Sequence, residues 1–344
     1  MADAVLEVQD LRTHIPTPDG IVRAVNGTTF TVHNGRTLGI LGESGCGKTM
    51  TGLSIMRIIP DPGRIAGGKI IYYPKSGDPV DMAQLEREGP EMARIRRREI
   101  SMIFQEPMTA FSPVYRIGNQ IIEAISLYDP TLNKRALRGR CIELLGDVGL
   151  PNPKQVIDQY PFELSGGMRQ RAMIAMALAC DPKLLIADEP TTAIDVTIQA
   201  QIIELLQKIQ KDRGMAVIII THNLGVIAEI ADDVAVMYLG KVVEFGTIDE
   251  ILERPRHPYT QALMRSIPGT APRHTELAVI PGTVPRADVI MPGCDFQPRC
   301  SRAFDKCPHR KPGITSDGAH QVRCFLYGDA EEPEPALEEV SVRA

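Results

Sequence analysis

Apolar and polar residues change their period several times along this chain. From Leu6 to about Val32 they alternate, the two-residue period of half-buried strands, around a turn at Pro18-Asp19-Gly20. The solid apolar run Thr37-Leu38-Gly39-Ile40-Leu41 reads as a buried strand, and helical spacing follows through Leu53, Ile55, Met56 and Ile59. A strand is expected from Lys69 to Tyr73 and, after a polar stretch, a short one from Ser101 to Phe104. Residues 107 to 180 read mostly as helices, including Ile117 to Ser126, Lys134 to Val148 and Gly166 to Cys180. Strand and helix then alternate: Leu184 to Ala187, Ile198 to Lys211, Ala216 to Thr221, Leu224 to Ala231. That alternation predicts an α/β fold with a mostly parallel sheet wrapped by helices. The opening strands form an antiparallel β subdomain, and residues 107–180 a helical one.

Beyond Pro255 the texture changes. Ten prolines fall from Pro255 to Pro312, which leaves little room for long helices or central strands. The expected organisation is therefore a main domain over 1–255, a small cysteine-containing region over 256–328, and an acidic disordered tail over 329–344. At 344 residues with 43% hydrophobic and 24% charged residues, the chain is ordinary for a globular protein. A net charge of −5 argues against a surface built throughout for nucleic acid. The one basic run, Arg94 to Arg98, lacks interleaved aromatics and reads as a solvated helix face. No apolar stretch is long enough to span a membrane, and Met1 to Glu7 lacks the plan of a secretory signal. Work at a membrane would require docking on other chains' helices.

The chemistry begins at Gly42-Glu43-Ser44-Gly45-Cys46-Gly47-Lys48-Thr49, which fits G-x-x-x-x-G-K-[ST] at every fixed position. Glycines let successive backbone N–H groups turn inward around an anion, and the following helix adds its positive end. Lys48 can reach the β- and γ-phosphates, and Thr49 can hold Mg²⁺. The bland alternative is an accidental glycine turn, expected in roughly one chain in a hundred of this length. The strand before the loop and the helix after it favour nucleotide binding, through Gly42, Ser44, Gly45, Cys46, Gly47, Lys48, Thr49 and Met50. The strand from Leu184 ends in Asp188-Glu189. Asp188 sits where a strand-end aspartate helps hold Mg²⁺, and Glu189 where a carboxylate can polarise the attacking water. Leu164-Ser165-Gly166-Gly167-Met168-Arg169-Gln170-Arg171 opens a second helix able to meet an anion. One subunit needs only one cradle per nucleotide; two subunits packed head to tail would each supply one to the same ATP.

With these residues in place, the chain resembles an ABC-type P-loop ATPase over about residues 5 to 250. Ser165, Gly166 and Gly167 match its signature sequence, Gln105 its Q-loop, Asp195 its D-loop and His222 its switch histidine. The resemblance implies that Gln105 contacts Mg²⁺ or the attacking water, and that His222 bonds the γ-phosphate and orients Glu189. Ile194, where leucine is usual, is a minor departure. Phe104-Gln105-Glu106-Pro107-Met108 and His257-Pro258-Tyr259-Thr260-Gln261-Ala262-Leu263 resemble the ATP-binding subunits of oligopeptide and dipeptide importers. That implies an ATPase at the cytoplasmic face of the cytoplasmic membrane. Its partners would be a homologous or identical ATPase subunit, two permease subunits and an extracytoplasmic solute-binding protein, with no nucleic acid. The loop after Gln105 would receive a coupling helix from a permease. Relatives carry nickel, glutathione or oligosaccharides, which remain alternative cargoes; a soluble ABC ATPase acting on nucleic acid is the alternative from another class.

Seven cysteines are better read as thiols or metal ligands than as disulfides. Cys294, Cys300, Cys307 and Cys324 could complete an Fe–S cluster or a zinc site, or stay unliganded. The resemblance implies a [4Fe–4S] cluster there. Cys46, Cys141 and Cys180 read as ordinary small residues.

The family usually stacks an aromatic side chain on adenine, and the aligned position here is Ile15. Losing such a platform costs on the order of 1–3 kcal/mol by analogy with base stacking. Hydrolysis of ATP and GTP should therefore proceed with similar kcat/KM; a strong ATP preference in a side-by-side phosphate-release assay would show that another residue reads the base.

Overall fold

The computed structural model describes residues 4–105, 110–191, 195–266 and 280–332. Within them, β1 (Ala4–Thr17) and β2 (Gly20–His33) form the expected antiparallel hairpin, closing at Thr17↔Gly20. With β4 (Arg64–Tyr72) and β5 (Val80–Asp81) they make a sheet of order β2-β1-β4-β5. The main sheet has the order β11 (Thr315–Asp317), β12 (His320–Val322), β10 (Lys241–Thr247), then β9-β3-β8-β7-β6. Its parallel part runs from the edge strand β6 (Ile100–Ile103) through β7 (Leu184–Asp188), β8 (Ala216–Thr221) and β3 (Thr37–Leu41) to β9 (Asp233–Tyr238). Every residue of β3, β7 and β8 is buried, which is why each reads as a continuous apolar run rather than an alternation.

Helices cover both faces. The helix Leu224–Ile230 packs so closely on β3 that a Cβ at Gly39 would stand 2.6 Å from Ile227 Cδ1. The helices Ile117–Tyr128, Lys134–Asp147 and Gly166–Ala177 pack together around Ile121, Leu144, Leu145 and Ile174. The basic run lies on the helix Pro90–Arg98. Arg96 there donates to the carbonyls of Arg87 and Met56, and Arg94 pairs with Glu99, so the run is partly tied down.

The C-terminal region is woven into the main sheet. β12 (His320–Val322) pairs with β10 (Lys241–Thr247) at Glu244↔Val322 and Phe245↔Gln321, and β11 (Thr315–Asp317) pairs with β12. A buried Glu244 fastens the junction: its carboxylate accepts from the N–H groups of Arg256 and His257 and lies 2.8 Å from His320 Nε2. The first residues of the acidic stretch are held as well. Glu332 reaches the nearly buried Lys241 ammonium at 2.5 Å, and Gly313 N–H donates to the Ala330 carbonyl. An ammonium removed from water needs carboxylate partners, and Lys241 has two, Asp295 at 3.3 Å and Glu332. The rest of the expected tail lies outside the described residues. Among the described residues, no helix is long and apolar enough to cross a membrane.

Candidate nucleotide site

The loop after β3 turns on glycine geometry. Gly45 and Gly47 have φ of +78° and +100°, a region L side chains seldom enter. A Cβ at Gly47 would also lie 2.1 Å from the Ala24 carbonyl oxygen, and one at Gly42 2.4 Å from that of Met237. Gly47 caps the helix Lys48–Ile55 without any side-chain bond, so the first N–H groups of that helix are left for a ligand. Lys48 Nζ donates to the carbonyls of Gly42 and Glu43 at 2.8 and 2.9 Å, folded across the loop it would share with phosphates. Ser44 and Gly45 are exposed at the rim, Cys46 is buried beneath it, and Met50 is half-buried in the first helical turn.

Thr49 Oγ1 donates to Asp188 Oδ1 at 3.2 Å. A hydroxyl and a carboxylate at a phosphate loop are oxygen donors of the kind a hard divalent cation takes. Asp188 is 1% exposed, and burial pushes its carboxyl up to about 6; the adjacent Glu189 adds to the rise, while the Thr49 bond and the Lys48 charge oppose it.

Glu189 follows with φ +45°, unusual for a side-chain-bearing residue, and its N–H donates to the Ile220 carbonyl at 2.8 Å. That turn carries its carboxylate out of the strand to two partners. Gln105 Nε2 donates to Oε2 at 3.1 Å, and His222 Nδ1 stands 3.0 Å from Oε1. Three residues far apart in sequence thus meet at one carboxylate.

Ser165 caps the helix Gly166–Ala177, its Oγ accepting from Met168 N–H at 3.3 Å. Gly167 lies against Ile198, where a Cβ would come within 3.0 Å, whereas a Cβ at Gly166 would meet nothing within 4 Å. Asp195 caps the helix Val196–Arg213 through Ile198 N–H at 3.0 Å. Residues 106–109 after Gln105 and 192–194 before Asp195 lie outside the described residues.

Cys294, Cys300, Cys307 and Cys324 all line one small cavity beside Phe296, Phe304 and Phe325. Burial pushes Cys294 up to about 12, with Asp295 and then Cys324 and Cys307 adding to the rise, and pushes Cys324 up to about 11, with Cys300 and Cys307 adding to it. Among the described residues, however, no group of three or more His, Cys, Asp or Glu side chains is gathered as a ligand set for a metal ion. Cys46, Cys141 and Cys180 are buried and unbridged.

Two residues that sequence reasoning missed touch the phosphate loop. Arg299 binds the Glu43 carboxylate with two nitrogens, at 2.7 and 3.0 Å, and Tyr259 Oη accepts from Glu43 N–H at 2.9 Å. Both belong to the late, proline-rich region. Only the position of Tyr259 within the His257-to-Leu263 segment gave any hint.

Fold and loop define an ATP-binding cassette of the ABC class. A family profile described as ABC transporter matches residues 25–192, and one described as oligopeptide/dipeptide transporter, C-terminal region, matches 243–307. The chain is 49% identical over 331 residues to a putative peptide import ATP-binding protein of Brucella melitensis, covering 94% of this chain and 97% of that one. It is 45% identical over 324 residues to the oligopeptide transport ATP-binding protein AppD of Bacillus subtilis (94% and 97% covered). With the dipeptide transport ATP-binding protein DppD of Escherichia coli it shares 44% over 332 residues (96% and 99%). A dimeric bacterial ABC transporter cassette has the same fold, with a TM-score of 0.62 at 23% identity over 71% of this chain and 98% of that one. The chain belongs to the ABC transporter family, in the group that carries the oligopeptide/dipeptide transporter C-terminal region.

The Asp188 environment sets a pH dependence. An unfolded aspartate protonates near ~3.9, so between that value and about 6 the folded chain holds the extra proton, and stability falls as pH rises through this window. Without nucleotide or Mg²⁺, Asp188→Asn should raise Tm at pH 7.5 by roughly 2–6 °C, and the gain should vanish below about pH 4. Equal melting temperatures at both pH values would contradict it.

Proposed function

We propose that this chain is the ATP-hydrolysing subunit of an importer of di- or oligopeptides. The reading rests above all on the single carboxylate of Glu189 held between Gln105 and His222, at the end of the strand whose Asp188 meets Thr49 of the phosphate loop. Glycine-shaped N–H groups and Lys48 would bind the phosphates of ATP. Thr49, Asp188 and Gln105 would hold Mg²⁺, which when bound neutralises charge between the β- and γ-phosphates. Glu189 would take a proton from water as the water attacks the γ-phosphorus. Gln105 would keep that carboxylate directed at the water, and His222 would hydrogen-bond the γ-phosphate and orient Glu189. Charge developing in the transition state is then met by groups already in place.

Ser165, Gly166 and Gly167 would complete the site of a second, homologous or identical subunit, with Asp195 at the seam. The open space at Gly166 supports this, because among the described residues nothing lies within 4 Å of where its Cβ would be. A groove of about 440 Å³ is lined by Met102, Phe104, Ala110, Met173 and Met176. Its apolar lining and the 44% exposure of Phe104 support docking of a permease helix there, at the cytoplasmic face of the membrane. Peptide as cargo, received from an extracytoplasmic binding protein, rests on the names of the relatives and on the C-terminal match.

Glu189→Gln should leave ATP binding intact and slow turnover by roughly 10²–10⁴, whereas Lys48→Ala should weaken binding itself. Cells carrying Glu189→Gln should lose uptake of a labelled short peptide. Undiminished hydrolysis would sink the assignment of Glu189, and undiminished uptake would move the cargo to nickel, glutathione or an oligosaccharide.

The convergence of four thiols on one cavity supports a [4Fe–4S] cluster in the C-terminal region, with zinc as the alternative. The side chains would have to turn inward to bind, since they are not gathered as a ligand set. Anaerobically purified protein should contain about four iron atoms and lose them in Cys300→Ser; zinc in their place, or no metal, would decide against the cluster.

A further inference from the structure

Every polar group of Glu43, the first residue after Gly42, is occupied. Its carbonyl accepts from Lys48, its N–H donates to Tyr259 Oη, and its carboxylate receives both arms of Arg299. The last two partners come from the C-terminal region, and neither can follow a moving loop. The Arg299 side chain is 4% exposed, its Nε donates to the Pro281 carbonyl at 3.0 Å, and its guanidinium lies 5.9 Å from the centre of the Tyr238 ring. Tyr259 is fully buried, with ring centroids 4.8 Å from Tyr238 and 5.4 Å from Phe296. A planar guanidinium gripping a carboxylate with two bonds fixes direction as well as distance, which a lysine would not do.

A merely structural role, docking the C-terminal region, has other means. Strand β12 already completes the sheet, and Glu244 already fastens the junction. The clamp instead meets the loop at Glu43, two residues past the end of β3, where the turn begins.

We propose that Arg299 and Tyr259 are positioning residues for nucleotide binding, holding Glu43, and through it the first turn of the phosphate loop, in the shape of an open cradle. This deepens the reading of the loop as an ATP site and rests on it. The C-terminal region thereby sets nucleotide affinity without touching nucleotide. If releasing the clamp leaves about one loop in ten in the cradle shape, apparent affinity falls about ten-fold. Turnover at saturating ATP changes little, because Gln105, Glu189 and His222 keep their mutual contacts.

The test is equilibrium binding of a fluorescent ATP analogue to the full chain, with KM and kcat measured in parallel. Arg299→Ala should raise Kd and KM by roughly 5–30-fold with kcat within about two-fold, and Arg299→Lys should recover part of the loss. Glu43→Gln reaches the same contact from the loop side and serves if Arg299→Ala does not fold. The double variant should bind no worse than the weaker single variant, since both remove one interaction. Arg286→Ala, which breaks the exposed Arg286–Asp288 pair in the same region, should leave Kd unchanged. Unchanged affinity in both Arg299→Ala and Glu43→Gln would overturn the proposal. So would an equal loss in Arg286→Ala, or losses that multiply in the double variant. Failure of the unaltered chain to bind the analogue would instead remove the ATP-site reading beneath it.

Discussion

The site depends first on the register of three parallel strands. Leu41 pairs with Thr221 across β3 and β8, and Asp188 pairs with Ile220 across β8 and β7. These pairings bring Gly42, Asp188 and His222 to the same edge of the sheet, at the carboxyl ends of the strands. Open α/β sheets generally bind ligands there. A slip of one residue in β7 would turn Asp188 to the opposite face and carry Glu189 away from both Gln105 and His222. Burial on both faces makes such a slip costly, since Leu184, Leu185, Ile186 and Ala187 are all fully enclosed. The hydrophobic core therefore fixes the register on which the geometry of the site depends.

Two neighbouring carboxylates are then separated by environment. Asp188 is enclosed beside Thr49 and Lys48, where a charge is tolerable only with a cation or a proton for company. Glu189 is swung out by its left-handed backbone, and its two oxygens are taken up by different partners. The positive φ is a cost that the Ile220 hydrogen bond and the packed strand sustain, and it aims the second carboxylate away from the first. Adjacent carboxylates in such different surroundings suit the separate tasks proposed for them, metal ligation for Asp188 and proton acceptance for Glu189.

How much of this was legible in the sequence follows from the range of each interaction. The central strands were readable because burial on both faces writes a continuous apolar run; the expected strand from Ala216 to Thr221 is the observed one. The phosphate loop was readable because glycine positions are dictated locally, by φ and by backbone approach. Strands β9 and β10 were not singled out, their apolar residues merging with neighbouring helical spacing. The joining of β12 to β10 was hidden because strands of three residues carry almost no periodic signal. Arg299 and Glu43 stand 256 positions apart. Nothing local distinguishes that arginine from others in a proline-rich stretch, and only folding could show its partner. The cysteines fall between these cases: their convergence on one cavity was foreseeable as chemistry, but their exact disposition was not.

The glycines of the second anion-binding segment close the argument about what one chain lacks. In the phosphate loop, Gly42 and Gly47 are needed within the chain itself, because a side chain there would strike Met237 or Ala24. At Gly167 the neighbour is Ile198, again internal. At Gly166 there is no such neighbour among the described residues, and its φ is not among the positive ones, so neither their packing nor backbone conformation calls for glycine. Glycine at the start of a helix costs conformational entropy relative to other residues. A bare, exposed helix start capped by Ser165 is suited to close approach by an anion that this chain's own loop does not present. On the proposed reading the demand for that glycine lies outside the chain, on a nucleotide held by a second subunit, and each chain would supply two complementary halves of a site rather than one complete site.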